Sequence, residues 1–148
     1  MAFRATSLTI GVSGERQQMT KAEQLAAFVV GARYEDIPGA VLDQLKIHIL
    51  DSLGCAIGAL GGEPLRFIRE YLMDLGGVEH GTLIGSGKTA PDRAAFYNSA
   101  LVRYLDFNDS YLAKGETCHP SDNLGAILAA AEYGDRSGRH LRPPVAGG

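Results

Sequence analysis

In Val41-Leu-Asp-Gln-Leu-Lys-Ile-His-Ile-Leu-Asp-Ser-Leu-Gly-Cys-Ala-Ile-Gly-Ala-Leu60, apolar residues at 41, 42, 45, 49, 53 and 57 recur at near-helical spacing. The second half, from Leu53 to Leu60, is apolar around the whole circumference and rich in small residues. A helix of that kind is expected to be buried, with Gly54, Ala56 and Gly58 letting neighbouring backbones approach closely. Pro38 suits its first turn, because the missing N–H is not needed there, and Gly61-Gly62 ends it. His48, Asp51 and Ser52 interrupt the apolar run, which is too short to span a bilayer.

Working outward, Thr20-Lys-Ala-Glu23 is a capping box, in which a hydroxyl and a carboxylate satisfy each other's backbone amides. Leu25, Phe28 and Val29 then give one apolar face, and the pattern predicts a helix from about Lys21 to Ala32. Downstream, Pro64 opens a third helix with Leu65, Ile68, Leu72 and Leu75 facing inward, closed by Gly76-Gly77. A short strand, Thr82-Leu-Ile84, sits among glycines. Pro91 starts a fourth helix reaching about Leu105, and Pro120 a fifth through Leu124, Ile127, Leu128 and Ala131. About five helices with short loops make an all-α fold.

The 148 residues suffice for one domain with a real core. A net charge of -3 and a pI near 5.8 argue against nucleic acid or an anionic membrane as the main partner. Cys55 and Cys118 fit neither a disulfide framework nor zinc spacing, and agree with a reducing, cytoplasmic setting. Residues 1–18 read as a flexible N-terminus and 19–139 as the helical domain. The last nine, 140–148, contain Pro143-Pro144 where another helix is expected, and read as a disordered or frame-shifted tail.

Tyr104-Leu-Asp-Phe-Asn-Asp-Ser-Tyr-Leu-Ala-Lys-Gly-Glu-Thr-Cys-His-Pro-Ser-Asp-Asn123 carries the chemistry. It packs Asp106, Asp109, Lys114, Glu116, His119, Ser121 and Asp122 into a polar loop between two helices. A histidine among carboxylates is what proton transfer needs, since imidazole titrates near neutrality. His119-Pro-Ser-Asp122 also reads as plain helix punctuation, with Ser121 and Asp122 satisfying amides. Asp106, ending a helix against its dipole, calls for an ion pair or a site. Gly85-Ser-Gly-Lys-Thr89 lacks the spacing of a phosphate-binding loop and reads as a tight turn. His48, His80 and His140 have no partner pattern, and no spacing matches a metal motif.

Asp106-Phe-Asn-Asp109, Tyr111-Leu-Ala-Lys114 and His119-Pro-Ser-Asp-Asn123 resemble the signature of the 2-methylcitrate dehydratase (MmgE/PrpD) family. Asp51–Gly58, Gly81–Gly87 and Ala95–Ala100 fall in that family's order. The resemblance implies the N-terminal portion of a helical domain in a metal-independent hydro-lyase with no cofactor, acting on a small polycarboxylate such as 2-methylcitrate in propionate metabolism. It implies a homodimer at full length. His119 and Asp106 are carried over as catalytic, and Lys114, Asp109 and Ser121 as substrate-binding, with Arg103 a second nearby cation. A decarboxylase or epimerase of the same family would share these motifs. A helical dimerisation or interaction module would need no catalysis. Family members are much longer, so this chain alone is expected to show little or no dehydratase activity.

Overall fold

A computed structural model describes residues 19–137, so the expected flexible N-terminus and the tail from 140 lie outside the described residues. The chain divides into two units, Met1–Ala32 and Arg33–Gly148.

In the first unit, α1 spans Lys21–Gly31 and begins with the capping box. Thr20 Oγ1 accepts from the Glu23 amide at 3.2 Å, and Glu23 Oε2 accepts from the Thr20 amide at 2.7 Å. These bonds hold the Glu23 carboxyl below its usual range, with the Thr20 backbone the larger cause. No residue of α1 is buried.

In the second unit, α2 (Gly39–Gly58) runs into a short 3-10 turn and is followed by α3 (Glu63–Leu75). A small hairpin, β1 (Gly81–Thr82) with β2 (Lys88–Thr89), leads to α4 (Pro91–Tyr104). A second hairpin, β3 (Tyr111–Ala113) with β4 (Glu116–Cys118), precedes a 3-10 turn at Pro120–Asn123 and then α5 (Leu124–Tyr133). The fold is mostly helical, as expected, with the two hairpins added.

Helix α4 is the centre, packing against α2, α3 and α5. Tyr97, Leu101 and Val102 on α4 and Leu83 beside it are fully buried. Apolar side chains buried to that degree contribute about 1.5–3 kcal/mol each. Helices α4 and α5 cross closely at Gly125, where a Cβ would meet the Ala95 carbonyl at 2.8 Å and run into Ser99. Asn98, buried within α4, clamps the first hairpin to it. Its Oδ1 accepts from the Ile84 amide at 3.0 Å, and its Nδ2 donates to the Thr82 carbonyl at 2.8 Å.

Several expectations are corrected. Helix α2 is not buried all round: Ser52, Cys55 and Ala56 are buried, while Leu50 is 73% and Ile57 61% exposed. Gly58 does lie close to a neighbour, 3.1 Å from Leu105 to a would-be Cβ, but at Gly54 none of the described residues comes within 4 Å. On α3, Leu75 faces outward because the chain turns away at Gly76, and on α5 Ile127 is also exposed. The strand pairing ends at Thr82, and Leu83-Ile84 enter the turn. That turn is closed by the Leu83 amide on the Gly87 carbonyl at 2.9 Å, with Gly85 at φ 74°. Gly85-Ser86-Gly87 is therefore a hairpin turn, as the failed phosphate-loop spacing indicated. The second hairpin stands where a plain polar loop was expected. Among the described residues, no single helix is long and apolar enough to cross a membrane.

Candidate functional site

The segment between α4 and α5 is tied at its base and open at its tip. Asp106 follows the last turn of α4 with φ 56°, a left-handed conformation that Asp tolerates better than most residues. Its amide bonds the Arg103 carbonyl at 3.1 Å, and its carboxylate accepts from Arg103 Nη1 at 2.7 Å. The ion pair anticipated for a helix-ending carboxylate is thus present, and it is largely exposed. Exposed pairs contribute little to stability, so this contact sets geometry more than it adds free energy.

Two residues later the chain folds against the start of the 3-10 turn. Asn108 is buried and donates through Nδ2 to Ser121 Oγ at 2.5 Å. Asp109 Oδ1 accepts from the Ser121 amide at 3.2 Å. The Asp109 carbonyl accepts from His119 Nδ1 at 2.7 Å, and Ser110 Oγ lies 3.3 Å from the same nitrogen. A carbonyl oxygen can only accept, so the proton sits on Nδ1 in the neutral ring. Nε2 then carries the lone pair, and among the described residues it has no hydrogen-bond partner. An imidazole held in that tautomer can act as a base through Nε2.

The structure gathers His119, Asp109 and Ser121 into this network, and ties Asp106 to Arg103 rather than to the imidazole. Ser121 is buried with its hydroxyl engaged by Asn108, so in this arrangement it holds the turn in place. Lys114 sits in the turn of the second hairpin beside Gly115, whose φ of 85° requires glycine there. Among the described residues, Asp122 Oδ1 is sealed from solvent and has no hydrogen-bond partner, an uncommon condition for a buried polar atom.

Two participants escaped the reading of the residues, Asn108 and Ser110. The available signal was the run Asn108-Asp109-Ser110 shortly after a helix end, a set of polar groups suited to bonding a returning segment. The other histidines have different uses. His48 shares a hydrogen bond with Gln44 at 3.0 Å, and His80 meets the edge of Tyr133 at 5.9 Å. His140 lies outside the described residues. An open cleft of about 330 Å³ lined by Glu79, His80, Lys88, Glu132, Asp135 and Arg136 involves no residue of the 106–123 segment. Among the described residues, no three His, Cys, Asp or Glu side chains converge as a metal would require.

Comparison with known proteins gives this geometry a context. Residues 23–143 match the MmgE/PrpD N-terminal domain. The chain is 38% identical over 113 residues to the 2-methylcitrate dehydratase of Cupriavidus necator, covering 71% of this chain and 22% of that protein. It is 34% identical over 114 residues to the mitochondrial 2-methylcitrate dehydratase of Yarrowia lipolytica, covering 72% and 21%. An alkylcitrate dehydratase of a fungal species is 38% identical over 113 residues, covering 68% and 21%. The chain spans about a fifth of the length of these relatives.

Proposed function

The chain belongs to the MmgE/PrpD family through its N-terminal domain, and on that premise we propose that it supplies the histidine-bearing part of a hydro-lyase for small hydroxy-polycarboxylates. The names borne by its relatives support 2-methylcitrate, or another alkyl-substituted citrate, as the substrate class. The observation that carries the reading is the 2.7 Å bond from His119 Nδ1 to the Asp109 carbonyl. It leaves Nε2 unprotonated in the neutral ring and without a hydrogen-bond partner among the described residues.

In the proposed reaction, His119 Nε2 takes a proton from the carbon next to the hydroxyl-bearing one. The C–H electron pair forms the double bond, and the hydroxyl departs as water once an acid protonates it. Asp106 is the candidate acid from this segment; it is ionised while paired with Arg103, so it serves once it has taken up a proton and loosened from the guanidinium. The substrate's carboxylates need cations. Arg103 is already engaged by Asp106, and Lys114, at the hairpin tip, is in no ion pair among the described residues. Lys114 and Asp109 are accordingly assigned to substrate binding, with Ser121 shaping the turn behind them.

The test is to splice this chain into the Cupriavidus necator enzyme in place of its matched segment and to assay 2-methylcitrate dehydration. Turnover is expected from the spliced protein and little or none from the present chain alone. His119→Ala should lower kcat by roughly 10²–10⁴-fold, the usual contribution of a positioned acid or base. A folded, active splice that keeps full kcat as His119→Ala would refute the assignment. Parallel assays with citrate and cis-aconitate separate dehydration from decarboxylation.

A further inference from the structure

We infer that Arg103 is the fixed anchor for one carboxylate of the substrate, taken side-on by its Nε and Nη2 groups, while Asp106 and Asn108 hold the guanidinium by its Nη1 end. The inference deepens the proposed function and rests on it for the identity of the ligand.

Both hydrogen bonds of the guanidinium leave from one nitrogen. Nη1 donates to Asp106 Oδ1 at 2.7 Å and to Asn108 Oδ1 at 3.5 Å. Those two bonds use the two hydrogens of Nη1. Nε and Nη2, which together form one edge of the planar group, have no acceptor among the described residues. Two parallel N–H groups on such an edge match the two oxygens of a carboxylate. The Arg103 side chain is 41% exposed, so its two partners do not enclose it.

Arg103 differs from an ordinary surface arginine in how it is held. It sits on the last turn of α4, directly after the fully buried Leu101 and Val102. Asp106 turns back toward it through a left-handed backbone, and Asn108 is buried. Asn108 in turn donates to Ser121 Oγ at 2.5 Å, two residues along from His119. The guanidinium and the imidazole therefore belong to one hydrogen-bonded network. A guanidinium oriented before its ligand arrives loses less freedom on binding. Lys114 has no such support: it lies in the turn between two exposed strands and is in no ion pair among the described residues. One carboxylate fixed on Arg103 orients the substrate against the imidazole, which the elimination needs. The same carboxylate competes with Asp106 for the guanidinium, and so helps to loosen Asp106 for its acid role.

The first test uses the full chain by itself. Side-chain nitrogen–proton NMR spectra are recorded as tricarballylate, a tricarboxylate with no hydroxyl to lose, is added. The Arg103 Nε–H signal is identified by its absence in Arg103→Lys. It should shift downfield and saturate, and move further than any other arginine signal. An Arg103 signal that stays in place, or that moves no further than the others, overturns the inference. The second test uses the chain spliced into the Cupriavidus necator enzyme. Arg103→Gln should raise KM for 2-methylcitrate by roughly 10- to 100-fold, the usual range for losing a hydrogen bond between charged groups. Arg103→Lys, which keeps the charge without the edge, should raise KM less. If Arg103 served only to hold Asp106, Arg103→Gln would match Asp106→Asn, lowering kcat at unchanged KM, and that result overturns the inference. A folded splice without turnover, alongside a saturating Arg103 shift in the chain, upholds the carboxylate anchor and refutes the dehydratase reading, so the two failures are separable.

Discussion

His119 is held by one edge of its ring, and the group that holds it is a backbone carbonyl. Such an anchor leaves no trace in a pattern of side chains, which shows only a histidine among carboxylates. Long-range nitrogen–proton NMR on the neutral imidazole should show the proton on Nδ1, as the 2.7 Å contact with the Asp109 carbonyl demands. A dominant Nε2–H form would remove the basis for placing the base at Nε2. The two cysteines offer a second residue-level check. Cys55 is buried in α2, and burial, with a smaller push from Asp51, raises its thiol above the usual 9.0. Cys118 is exposed on β4. A thiol-specific alkylating agent near neutral pH should modify Cys118 readily and Cys55 only on unfolding, because the thiolate is the reactive form. Equal labelling rates in the folded chain would contradict the packing of α2 against α4.

At the scale of elements, Asn98 ties α4 to the first hairpin through two hydrogen bonds. Asn98→Ala leaves the Ile84 amide and the Thr82 carbonyl without their partner. Denaturant titration should show a loss of about 1–3 kcal/mol, the range for leaving a buried polar group unsatisfied. A change near zero would mean that water reaches the hairpin freely. The capping box of α1 makes a pH prediction. Glu23's carboxyl is depressed in the folded state, so its contribution is present above the ordinary value of 4.5 and fades as pH falls through the lower folded value. Amide shifts of α1 should report fraying in that acid range, and Glu23→Gln should abolish the pH dependence. The helices were legible because each carries a physical start signal: Thr20 with Glu23, then Pro38, Pro64, Pro91 and Pro120 at or beside a first turn. The second hairpin was not, because all six of its strand residues are exposed, which leaves no alternation to read. Nor could the pattern say which side of α2 would be covered. An all-apolar circumference permits any face, and only the position of α4 decides.

For the whole molecule, stability should be graded outward from α4. Its amides around Tyr97, Leu101 and Val102 should exchange slowest, and those of α1, which has no buried residue, fastest. Uniform protection across the chain would argue for a packing in which α1 shares a core. The ties at the base of the second hairpin have one more consequence. Asn108 and Asp109 on one side meet His119 and Ser121 on the other, so the eight residues from Tyr111 to Cys118 hang from a closed neck. Lengthening such a loop twofold adds only about 0.6 kcal/mol of closure entropy. The hairpin can therefore change length at little cost while the neck, and the imidazole within it, stays where it is.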